Sequence, residues 1–180
     1  MNPIMKPDPR YPIGNYTQRP FSSKQKETWL AHIRCLPLDL EQSLLNLDEG
    51  QLQTAYREGG WTVQQLVHHI ADSHMNACIR FRLALTEDRP VIKPYDENQW
   101  ALLPDVTRVP VNVSVTLLHA LHTRWYQLLR ELPDAHWSGR SVYHPEQARE
   151  MDLWYLLGLY AWHGRHHVAQ ITSLRERMGW

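Results

Sequence analysis

The feature that most restricts the fold is the pattern along residues 152–177. Leu156, Tyr160, His163, His167, Ile171 and Leu174 recur every three or four positions, the spacing that lines one face of an α-helix. Asp152 is a good N-cap before this run and Gly179 a good stop after it. Two histidines therefore stand where the pattern reserves space for a core. A helix of this kind needs neighbours that bury an apolar stripe and also satisfy imidazole nitrogens.

Three further segments supply such neighbours. Ser22 and Gln25 have capping-box spacing, and Trp29, Ile33, Leu36, Leu40 and Leu44 follow at helical intervals, predicting a helix over about 23–47. Pro37 lies inside it, so a kink or short break is expected there. Thr62 and Gln65 repeat the capping-box pattern before Leu66, Ile70, Ala77 and Phe81, predicting a second helix over about 62–86. A third is expected over about 114–131, with Leu117, Leu118, Leu121, Trp125, Leu128 and Leu129 inward and Pro133 stopping it.

The remaining stretches read as connections. Residues 1–21 carry Pro3, Pro7, Pro9, Pro12 and Pro20, so they form an extended arm that lies on the body. Residues 89–113 are a long crossover in which Asp96 to Leu102 can make a turn or two of helix, and 134–150 read as irregular. No strand-like alternation of useful length and no repeat is legible. With 180 residues, the expectation is one all-α domain, a four-helix bundle whose facing helices supply a site.

Composition excludes several functions. Lys plus Arg and Asp plus Glu both number 19, so there is no overall basic field for nucleic acid or an anionic membrane surface. No apolar run approaches the roughly 20 residues of a membrane span. No secretory signal is legible, so the chain is expected in the cytoplasm. Cys35 and Cys78 fall within helical segments, far apart in sequence, and suggest small buried hydrophobes rather than a disulfide.

The chain contains 11 His. Two at i and i+4 point their rings to one side of a helix, which suits one metal. In a chain this rich in histidine, chance supplies such a pair about as often as not. Placement in the core stripe is what raises it, because a shared metal satisfies one nitrogen on each ring that burial would otherwise leave unpaired. The plain alternative is two ordinary histidines, one bonded to a backbone carbonyl and one near the surface. A third ligand from another helix decides between them. The segment VHHIADSH offers His68, His69 and His74, of which His69 shares the side of Leu66 and Ile70, while His68 is expected to rotate outward. Three imidazoles favour zinc, nickel, copper or iron, with zinc the default, and leave a fourth position open to water.

The segments GWTVQQLVHHIADSH, IRFRLALTEDRPVIKPYDENQW, YHPEQ and LGLYAWHGRHHVAQI, in this order, resemble the DinB-like superfamily, and more closely its YfiT branch, provisionally grouped as metal-dependent hydrolases. The resemblance runs from PIGNY in the arm through the last helix. It implies an up-and-down four-helix bundle, usually dimeric, and one nickel or zinc ion held by His69, His163 and His167. It implies no common reaction; some relatives transfer a low-molecular-weight thiol to electrophiles.

Three residues are candidates for handling protons. Asp72, one turn after His69, can accept a hydrogen bond from a ligand ring or act as a base, but is equally a solvated helix carboxylate. His144, in YHPEQ with Glu146, is a better candidate, since loops over a bundle end often line its mouth; the plain reading is a turn residue before Pro145. His74 lies five residues from His69 and is expected in a pocket or at the surface. His166 faces away from the stripe and is expected to be exposed. The leading expectation is a metal-dependent hydrolase of a small molecule, working as a homodimer. Thiol S-transfer and a metal-binding bundle without turnover are the alternatives.

Overall fold

A computed structural model describes residues 8–180; Pro3 and Pro7 of the arm lie outside them. In chain order the elements are α1 (Ser23–Leu44), α2 (Glu49–Leu52), α3 (Val63–Thr86), α4 (Glu97–Trp100), α5 (Pro104–Arg108), α6 (Val111–Arg130), α7 (Asp134–Gly139), β1 (Ser141–His144), β2 (Arg149–Asp152) and α8 (Leu153–Met178). The four long helices are the expected ones. Their ends follow from local chemistry: Ser22 Oγ accepts from Gln25 N–H, Thr62 and Gln65 form a reciprocal capping box, Asp152 accepts from Tyr155 N–H, and Gly179 ends α8 at φ 72°.

Helix α1 packs on α8 and α6, and α3 packs on α6 and α8. The consecutive pairs α1 and α3, and α6 and α8, therefore face each other across the diagonal of the bundle. Connections long enough to cross the bundle ends permit this arrangement. The close α1–α8 approach depends on small residues in α8. A Cβ on Gly158 would lie 2.6 Å from the Trp29 ring and 2.5 Å from the Tyr16 hydroxyl, and one on Gly164 would lie 2.5 Å from Leu36.

The apolar interior forms two clusters. One contains Trp29, Phe81, Trp125, Leu153 and Leu157; the other contains Leu36, Leu40, Leu66, Ile70, Leu118 and Ile171. Buried histidines from α3, α6 and α8 are interspersed with these residues along the helices. The arm runs along α8. Trp154 Nε1 donates to the Arg19 carbonyl (2.6 Å), Trp162 Nε1 to that of Gly14 (3.0 Å) and Gln170 Nε2 to that of Arg10 (3.1 Å).

Several expectations are corrected. Pro37 does not break α1, which runs through it. Residues 141–152 form an antiparallel hairpin, with Ser141 paired to Asp152 and His144 to Arg149; strands of four residues are too short to display alternation. The segment expected to be irregular also holds α7. Leu117 is 42% exposed, and the buried stripe of α6 is instead Val115, Leu118, His122, Trp125 and Leu129. His68 and His166 are buried rather than exposed. Among the described residues no helix is long and apolar enough to cross a membrane. Cys35 and Cys78 are both free, but only Cys78 is buried as expected; Cys35 is exposed on the outer side of α1.

Candidate metal centre

His69 projects from α3, and His163 and His167 project from α8, one turn apart. His69 Nε2 lies 3.2 Å from His163 Nε2, and His167 Nε2 lies 3.1 Å from the same atom. The candidate ligand atoms of the three rings all fall within 4.8 Å of one another. Zinc–imidazole bonds of about 2.0–2.1 Å in a tetrahedron place donor nitrogens roughly 3.3 Å apart, so the cluster has the dimensions of a one-ion site.

The protonation of these rings tests the fit more sharply. Burial holds the pKa of His69 down at about 4. Burial and the neighbouring imidazoles hold His163 well below its ordinary value; burial first, then His69, does the same to His167. Neutral imidazole has one bare nitrogen, and for His167 the surroundings select it. Gln170 Nε2 donates to the Arg10 carbonyl, so its Oε1 faces His167 Nδ1 at 2.8 Å. An amide oxygen only accepts, so His167 carries its proton on Nδ1 and turns a lone pair on Nε2 toward the other rings. The donor set therefore suits a divalent transition-metal ion. Gln170 also donates to His166 Nε2 (3.1 Å), so His166 is part of the packing behind His167, stacked on Trp162 with ring centroids 4.5 Å apart.

The other histidines of α3 have different tasks. His68 bridges Ser114 Oγ (2.8 Å) and the Val109 carbonyl (3.1 Å), tying the crossover to α3. His74 is fully buried and lies against His122 and His163, neither in a pocket nor at the surface. His122 escaped the sequence reading, although it occupies the α6 stripe just as His163 occupies that of α8.

Two cavities reach His163. One, of about 440 Å³, is lined by Arg80, Tyr95, His144, Glu146 and Tyr160. The other, of about 620 Å³, is lined by Arg10, Trp61, His69, Trp162 and His167. Glu97 and Asn98 border both. The β1–β2 hairpin thus brings His144 and Glu146 to a cavity shared with His163. His144 Nδ1 accepts from the Gln147 N–H (3.3 Å), and burial followed by nearby Arg80 lowers its pKa. Arg80 Nη1 donates to the Tyr160 hydroxyl (2.7 Å). Asp72 lines neither cavity, and burial and then Asp105 raise its pKa to about 6.

Residues 37–171 match the model of the DinB superfamily. Proteins of Bacillus cereus and Bacillus anthracis, each assigned provisionally as a metal-dependent hydrolase, are 52% identical over 176 residues, covering 96% of this chain and 99% of theirs. The structure of YfiT from Bacillus subtilis, described as a probable metal-dependent hydrolase with an unusual four-helix bundle topology, superposes with a TM-score of 0.92 at 47% identity, covering 96% of this chain and 98% of that one. With its four-helix architecture and near full-length relatives, the chain belongs to the DinB superfamily.

Proposed function

We propose that the chain is a hydrolase of small molecules that works through one zinc or nickel ion held by His69, His163 and His167. The observation that carries this reading is the convergence of three imidazole Nε2 atoms on a point that two cavities reach. Three protein donors leave a coordination position open, as in catalytic rather than structural sites. An ion held there supplies Lewis acidity toward a water and a substrate oxygen.

The chain's own residues then divide the remaining work. His144, neutral and accepting at Nδ1, offers its Nε2–H to a developing negative charge or a leaving group. Glu146, in the same cavity, takes the proton released by the attacking water. Arg80 is oriented by Tyr160 to receive an anionic substrate oxygen. Asp72 is left out of this assignment because it lines neither cavity. On the same reading the protein is cytoplasmic and a homodimer, and light scattering of the purified protein tests the dimer.

The test is a screen of ester and amide substrates with metal-stripped protein and with protein reloaded with zinc or nickel. Turnover should vanish on stripping and return with metal; turnover indifferent to metal contradicts the reading. A second reading, thiol transfer to an electrophile, is favoured by the presence of two cavities at His163, room for two reactants. Conversion that requires an added small thiol selects it over hydrolysis.

A further inference from the structure

His74 and His122 are 0% and 1% exposed, and neither lines a cavity that reaches His163. Charged imidazoles in such a layer are costly, so both rings are neutral, and each neutral ring has one donor and one acceptor nitrogen. Their arrangement admits a single assignment. His122 Nδ1 lies 2.5 Å from the Ile33 carbonyl oxygen. A carbonyl only accepts, so the proton is on Nδ1 and His122 Nε2 is bare. That bare nitrogen is 3.0 Å from His74 Nδ1, which must donate. His74 Nε2 is then bare and 3.3 Å from His163 Nδ1, which must donate in turn. His163 is left with its lone pair on Nε2, the atom that faces His69 and His167.

The origin of this chain lies in the proline of α1. Residue 37 would ordinarily donate its N–H to the carbonyl of residue 33, and Pro37 has no N–H. The Ile33 carbonyl is therefore released from the helix ladder inside the core, and His122 satisfies it.

We propose that His74 and His122 are positioning residues that hold His163 as its Nδ1–H tautomer, with the carbonyl freed by Pro37 as their anchor, and so present Nε2 to the metal. The proposal rests on the reading of His163 as a ligand. It parallels the action of Gln170 on His167: each of the two candidate ligand rings of α8 is set by a series of hydrogen bonds that ends on a backbone carbonyl. Because a carbonyl does not take up a proton, the series from His163 to Ile33 holds tautomers in place and does not conduct protons outward.

Imidazole 1H–15N correlation spectra of metal-free, histidine-labelled wild-type protein at neutral pH test the assignment without any variant. His122, His74 and His163 should all carry the proton on Nδ1; an Nε2–H form of His74 or His163 overturns the proposal. Zinc affinity, measured against a competing chelator, tests the consequence. His122→Phe removes the acceptor for His74 and should weaken zinc binding roughly 10–100-fold. His122→Gln, whose side-chain oxygen can accept from His74, should recover most of that loss. Equal zinc affinity in the two variants overturns the proposal, since a merely structural role would not distinguish them in this way. Wild-type protein that fails to bind zinc, or His163→Ala that binds it undiminished, overturns the metal site instead, and the spectra then decide the tautomers separately.

Discussion

The Nδ1 atom of His122 on α6 donates to the carbonyl oxygen of Ile33 on α1 across 2.5 Å, and that carbonyl is free because Pro37 cannot bond it. Pro37→Ala restores a competing intrahelical donor and removes an unfavourable helix residue. The expected outcome is unchanged or higher thermal stability with zinc affinity lowered several-fold. Calorimetric melting paired with chelator competition checks it; a loss of stability with affinity unchanged would separate Pro37 from the site.

Gln170 connects the arm to the metal centre through the Arg10 carbonyl, His166 and His167. Gln170→Leu leaves His167 free to take either tautomer and removes a donor to the arm. Zinc affinity should fall about 10-fold or more, while helicity by circular dichroism stays near wild type.

Acid should destabilise the metal-free protein before most carboxylates are protonated. Burial lowers the pKa of His69, His122 and His166 to about 4 in the folded chain, against 6.5 unfolded. Above pH 6.5 both states are neutral and the groups contribute nothing. As pH falls from 6.5 toward 4 the unfolded chain binds protons that the folded chain refuses, so stability is lost across that window. Melting temperatures of metal-stripped protein measured from pH 7.5 to 4.5 should decline, and a flat profile would contradict the burial of these rings as neutral groups.

Asp72 has the opposite sign. Its folded pKa is raised to about 6 from 3.8, so ionisation opposes folding, and the penalty grows as pH rises between these values. Asp72→Asn should stabilise the protein at pH 7.5, on the order of 1 kcal/mol after allowance for partial exposure, and have little effect at pH 4. Chemical denaturation at both pH values measures the difference.

At Gly158 the Trp29 ring of α1 packs directly on the α8 backbone. Gly158→Ala must displace that buried indole and the Tyr16 hydroxyl, at a cost of about 1–3 kcal/mol. Urea denaturation gives the magnitude, and a variant at least as stable as wild type would show that the contact has slack.

The helices and their caps were legible because Ser22, Thr62 and Asp152 signal locally and the stripes of α3 and α8 have a clear period. His69, His163 and His167 could be selected together because His163 and His167 interrupt an apolar stripe and His69 continues another. The diagonal pairing of α1 with α3 was not legible, since it depends on how long connections cross the bundle ends. Nor was the β1–β2 hairpin, whose strands are held by tertiary pairing rather than by pattern. His122 carried the same signal as His163, but a stripe drawn through Leu117 and Leu121 obscured it. Pro37 was legible as an anomaly of α1; its hydrogen-bonding consequence appears only when α6 is packed against it.

Metal analysis tests the three converging imidazoles most directly. Wild-type protein dialysed after zinc loading should retain one ion per chain by plasma mass spectrometry, and His163→Ala, still helical by circular dichroism, should retain none. Equal metal content in a folded His163→Ala variant would contradict the site.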